Sequence, residues 1–117
     1  MAHRIAGRKL GRKHGPRMAL YRNLTVAVLR YEQVRTTEAR AKEVRGRVER
    51  MISLARDGSL TARRRAVAEF PDEPLVLDKL FRELGPKYAD RTSGFTRLVR
   101  IGPRPGDAAP IVQIELV

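Results

Sequence analysis

Apolar residues recur at helical spacing through most of the chain and alternate with polar ones near its end. After Pro16, Leu20, Leu24, Val28 and Tyr31 fall at i, i+4, i+8 and i+11, one face of a helix. Pro suits a first helical turn, where its missing N–H needs no partner. The spacing predicts a helix over 16–31, with Arg17, Arg22 and Arg30 off the stripe and able to face a partner. Gln33-Val34-Arg35-Thr36-Thr37 is short, alternating and β-branched, which predicts a strand. Thr37 is placed to cap a second helix over 38–57, with Glu38 in the first turn where the helix dipole favours an acid. Val44, Val48, Met51, Ile52 and Ala55 form its apolar stripe. Arg40, Lys42, Arg45, Arg47 and Arg50 share the other face with Glu43 and Glu49. Gly58 stands where a left-handed C-terminal residue is expected.

Ser59 is a candidate cap for a third helix over 60–70, which contains Arg63-Arg64-Arg65. Asp72 is placed to cap a fourth, with Pro74 near its first turn and Leu77, Leu80, Phe81 and Leu84 as its stripe. Leu80 and Phe81 are expected to be buried against the second helix, and Gly85-Pro86 to stop the fourth. Residues 95–101 and 111–116 read as strands, separated by the turn-rich Gly102-Pro103-Arg104-Pro105-Gly106-Asp107. No helix-length segment lies between them, so an antiparallel hairpin joins them. The expected fold is α/β of the α+β type: about four helices on a three-stranded, mostly antiparallel sheet. Residues 1–15, with Gly7, Gly11 and Gly15, read as an extended basic tail, and 16–117 as a single globular domain.

Charge sharpens this division. Of 117 residues, 25 are Lys or Arg and 13 Asp or Glu, a net +12. Arg4, Arg8, Lys9, Arg12, Lys13, Arg17, Arg22 and Arg30 all precede the first carboxylate, Glu32. Such a block resists compaction and serves as an interaction arm. Its field attracts polyanions, whose counterions are released on binding. Arg far outnumbers Lys, and Arg both bridges phosphate oxygens and stacks on bases.

Enzyme chemistry finds no constellation. The chain has no cysteine, which excludes disulfides, zinc ribbons and thiol catalysis and fits a reducing, cytoplasmic compartment. Its only histidines, His3 and His14, have no acidic cluster beside them in sequence, so no metal site is indicated. Neither a nucleophile-elbow serine nor a glycine-rich phosphate loop occurs. No apolar run approaches the ~18 residues of a membrane helix. The reading is therefore a non-enzyme with no cofactor and no small-molecule substrate. Three Tyr, three Phe and no Trp are scattered along the chain, against a stacking platform for single strands. Phe70 and Phe81 sit at core spacing, whereas Tyr88 and Phe95 flank a charged loop and fit either core or contact. Residue chemistry alone points to a protein gripping the backbone and shape of folded RNA, with a free-standing architectural DNA-binding protein as the alternative.

Particular residues carry a resemblance. Gly7-Arg8-Lys9-Leu10-x-Arg12 and Arg17-x-Ala19-Leu20-x-Arg22-Asn23-Leu24 are followed in register by Thr36-Thr37, Ala41-Lys42-Glu43-x-Arg45 and Leu54-Ala55-Arg56. Arg63-Arg64, Lys79-Leu80-Phe81 and Pro86-Lys87-Tyr88-x-Asp90-Arg91 come next. Gly94-Phe95-Thr96-Arg97, Gly106-Asp107-Ala108-Ala109-Pro110 and Ile114-Glu115-Leu116 close the series. End to end, the chain resembles the family of the seventeenth protein of the bacterial large ribosomal subunit. It departs from the usual pattern at Ala2, at Gly11 in place of Asn, at Phe95 in place of Tyr, and at Pro103 and Pro105 in a turn that is often more basic. The resemblance implies an α/β fold, binding to 23S ribosomal RNA near the peptide exit, contacts with neighbouring large-subunit proteins, and neither catalysis nor cofactor. The candidate RNA contacts are Arg4, Arg8, Lys9, Arg12, Lys13, Arg17, Arg22 and Asn23, then Thr36, Thr37, Lys42, Arg45, Arg63, Arg64, Lys87, Arg91 and Arg97.

Overall fold

The computed structural model describes residues 14–117, with side chains described from Arg17 onward. The expected tail falls almost wholly outside these residues. Four helices lie on one face of a three-stranded antiparallel sheet. Helix α1 (His14–Tyr31) leads into β1 (Gln33–Thr37), which is followed by α2 (Glu38–Asp57) and α3 (Leu60–Glu69). Helix α4 (Pro74–Lys79) runs on through a π-helical turn (Leu80–Leu84) into a last α-helical turn (Gly85–Lys87), and β2 (Thr96–Pro103) and β3 (Pro110–Leu116) form the hairpin. The strand order is β1-β3-β2, so the last strand in sequence is the central one. Gln33 pairs with Glu115 and Thr37 with Ile111, while Thr96 pairs with Leu116 and a bulge after Arg100 shifts the hairpin register.

Helix α2 follows its sequence pattern closely. All five predicted stripe residues are buried, joined by Ala41, and with Val112, Ile114 and Leu116 of β3 they form the core. Gly58 ends the helix at φ 65° and Ser59 caps α3 through a bond from the Ala62 amide. A second device fixes α2 to the sheet. The Glu49 carboxylate accepts from the Thr96 amide at 2.9 Å and its hydroxyl at 2.7 Å, taking up a strand-end donor that would otherwise go unpaired.

Five expectations need correction. The buried face of α1 is Arg17, Tyr21, Thr25, Val28 and Leu29, rotated from the predicted stripe; Tyr31 is exposed and Arg17 is only 2% exposed. Polar residues are tolerated there because they find partners, Thr25 Oγ1 donating to the Tyr21 carbonyl at 2.7 Å. Asp72 does not cap α4, since its carboxylate is drawn into an ion pair with Arg22 and the cap position falls to Glu73. Thr37 stands at the α2 cap position but its side chain makes no capping bond. Gly85 does not stop the fourth helix. It stays right-handed (φ −55°) and lies so close to α2 that a Cβ there would be 2.6 Å from the Ala55 carbonyl oxygen. Close approach of two backbones, not a turn, is what requires glycine here. Phe81 is half-buried rather than enclosed, whereas Leu80 is fully buried.

Helix α1 ends at Glu32, which takes φ 67° and donates its amide to the Val28 carbonyl at 2.8 Å. Its carboxylate pairs with Lys79 at 2.9 Å and Lys87 at 3.6 Å, tying the end of α1 to the fourth helical segment. The Lys79 hydrogen bond holds this carboxyl below its ordinary 4.5, against a smaller opposing effect of burial. A depressed carboxylate contributes stability above its unfolded pKa and loses it as pH falls through the folded one. Glu32→Gln is therefore expected to lower stability at neutral pH by up to about 1 kcal/mol. Thermal melts across pH check this: the gap to the parent should narrow below about 4.5 and close once the parent carboxylate is protonated.

Candidate nucleic-acid interface

The structure sorts the predicted contacts by what already occupies them. Arg4, Arg8, Lys9, Arg12 and Lys13 lie outside the described residues. Arg17 lies on the buried face of α1, and Arg22 is paired with Asp72 with its guanidinium 5.7 Å from the Phe70 ring centroid; Asn23 is exposed. Thr36 and Thr37 are half-buried and pair with Val112 and Ile111, so strand pairing occupies their backbones. Lys42 is 3.4 Å from Glu38, Lys87 3.6 Å from Glu32, and Arg97 2.6 Å from Glu115. Arg45 donates to the Thr96 hydroxyl at 3.2 Å and Arg91 to the Gly94 carbonyl at 3.1 Å. Arg63 lies over the Phe81 ring at 4.8 Å, and Arg64 is exposed without an ion pair among the described residues. Tyr88 and Phe95, open between two roles in the sequence, are both core: their rings meet at 5.2 Å and Tyr88 donates to the Val117 carbonyl.

The charge left without a carboxylate partner is thus not spread evenly. The outer sheet face is partly neutralised: Arg97 and Gln113 both donate to Glu115, while Arg35 donates to the neutral Gln113, which in turn donates to Gln33. In the hairpin turn, the Arg104 hydrogen bond lowers the Asp107 carboxyl to about 2, so that turn also offers little net charge. The helical layer is different. Among the described residues, Arg40, Arg64 and Arg65 make no ion pair there, and Arg47 spends its guanidinium on the Tyr21 ring at 5.1 Å and the Met18 sulfur. Arg40 and Arg65 were not among the predicted contacts; their signal was present in the basic face of α2 and in the Arg63-Arg64-Arg65 run. Arg47 also marks where the basic N-terminal segment joins the domain, since it touches the first turns of α1. Among the described residues, no group of three or more His, Cys, Asp or Glu could hold a metal, and no helix is long and apolar enough to cross a membrane.

Comparison with known proteins places this arrangement. Residues 20–117 match the family model of ribosomal protein L17. The chain belongs to the L17 family of ribosomal proteins. It is similar to the large ribosomal subunit protein bL17 of Desulfitobacterium hafniense, 52% identical over 97% of this chain and 100% of the relative. A protein of the same name from Dehalococcoides mccartyi is 45% identical over 100% and 99% of the two chains. That of a Thermoanaerobacter species is 54% identical over 94% and 97%. Membership of an L17 family agrees with a fold in which carboxylates secure the packing of the elements and arginines remain on the helical surface.

Proposed function

We propose that the protein is a structural constituent of the large ribosomal subunit that binds 23S ribosomal RNA near the peptide exit. The observation that carries this reading is the run of eight bases that precedes the first carboxylate, Glu32, in the sequence of a chain of the L17 family. The tail residues Arg4, Arg8, Lys9, Arg12 and Lys13 supply phosphate contacts, continued over the domain by Arg40, Arg64 and Arg65. Arg63 and Arg45 add side chains held by neutral partners and still charged. Arg22, Lys42, Lys87 and Arg97 contribute less, since each exchanges a carboxylate for a phosphate on binding. The site near the peptide exit follows from the family resemblance.

Competition titration tests the reading. A 23S transcript is expected to displace labelled 23S RNA from the protein far more effectively than duplex DNA of equal length. In cell extract, the protein should sediment with the large subunit. Equal competition by DNA, or sedimentation away from the subunit, would support the free-standing architectural alternative.

A further inference from the structure

A groove of about 310 Å³ runs between α3 and the fourth helical segment. Val67, Pro74, Leu77 and Phe81 give it an apolar lining, and Arg63, Asp78 and Arg82 a charged one. Asp78 is held by Arg82 at 3.1 Å, so the net charge at the groove is positive and Arg63 carries it. The Arg63 guanidinium lies over the Phe81 ring, 4.8 Å from its centroid, with no carboxylate partner among the described residues. Arg64, the next residue, is likewise exposed and outside any ion pair among them. Val67 is 49% exposed, and Leu77 and Phe81 are only half-covered.

An occupant must bring a flat apolar face for the ring and aliphatic lining and a negative charge for the arginines. A nucleotide does both. Aromatic rings and arginine planes are the two surfaces on which unstacked RNA bases settle, and this groove holds one of each. At ~30 Å³ per water, it has the room of about ten waters, enough for one base and its ribose. We propose that the groove holds an unstacked nucleotide of the bound RNA, its base against Phe81 and Pro74 and its phosphate on Arg63. The assignment rests on the RNA-binding reading and deepens it. Arg63 swings off the ring on its long side chain as the base enters, so its charge follows the phosphate.

Two full-length variants test this with a 23S transcript as probe, by filter binding across a salt series. Val67→Phe fills the groove from an exposed position without altering charge. It is expected to cost about tenfold in affinity, the loss of one base–aromatic stack, with an unchanged salt slope. Arg63→Gln is expected to lower the slope by roughly 0.7–0.9, one phosphate contact. Val99→Phe, on the outer sheet face, is the control and should bind as the parent does. Circular dichroism establishes that each variant is folded. Ultraviolet irradiation of the parent complex should crosslink RNA within residues 63–82. Parent-like binding by Val67→Phe with no crosslink there overturns the groove and leaves RNA binding standing. Failure of the parent itself to bind the transcript overturns the reading beneath. A crosslink from this groove to a protein in assembled subunits overturns the nucleotide in favour of protein docking.

Discussion

A chain beginning at His14 should bind 23S RNA with a salt slope of log K shallower by roughly 3–5 units, at ~0.7–0.9 per phosphate contact. The truncation removes five bases, Arg4, Arg8, Lys9, Arg12 and Lys13, and not one acid. A loss of that size makes binding at low salt far weaker while flattening its response to added salt. The domain should keep its far-ultraviolet dichroism, because the deleted residues include only Ile5 and Leu10 as large aliphatic groups and α1 is left whole. An unchanged slope would locate the grip on the helices alone. A lost dichroism signal would make the N-terminal segment part of the core.

Leu80→Ala should cost about 2–5 kcal/mol, a large share of the 5–15 kcal/mol that holds a typical domain together. Leu80 is fully buried and opens the π-helical turn that sits against α2. Gly85 presses backbone on backbone at the far end of the same turn, so the segment cannot slide inward to fill the hole. Phe81→Ala should cost about half as much, since one side of its ring faces Arg63 and the groove and burial counts by the area removed from water. Urea unfolding of both variants measures the difference. Equal losses would mean that Phe81 is as enclosed as its neighbour.

Local signals were legible and distant ones were not. Ser59, Gly58, Pro74 and the stripe of α2 act within a few residues of themselves, and each stands where its own chemistry predicts. Helix α1 was misread because its buried face includes Arg17, Tyr21 and Thr25, which look like surface residues until their partners are known. Asp72 was a sound local cap and lost that role to Arg22, fifty residues away in sequence. Gly85-Pro86 looked like a stop because nothing nearby in sequence announces Ala55. The candidate interface divides in the same way. The acid-free N-terminal block is plain from composition. Which basic side chains are already spent depends on pairs such as Arg97–Glu115 and Lys87–Glu32, set by strand register and helix packing.

The position of β3 between β1 and β2 sets an order of events during synthesis. Translation delivers the acid-free basic block first and the strand that both other strands need last. Until residues 110–116 emerge, β1 and β2 have no ladder to join, and the sheet's contribution to the core cannot form. Such late, long-range pairing is the slow kind. A nascent chain therefore gains its charge for polyanions well before it gains a fold. Premature termination anywhere before Pro110 yields a polycation without a sheet, open to proteases.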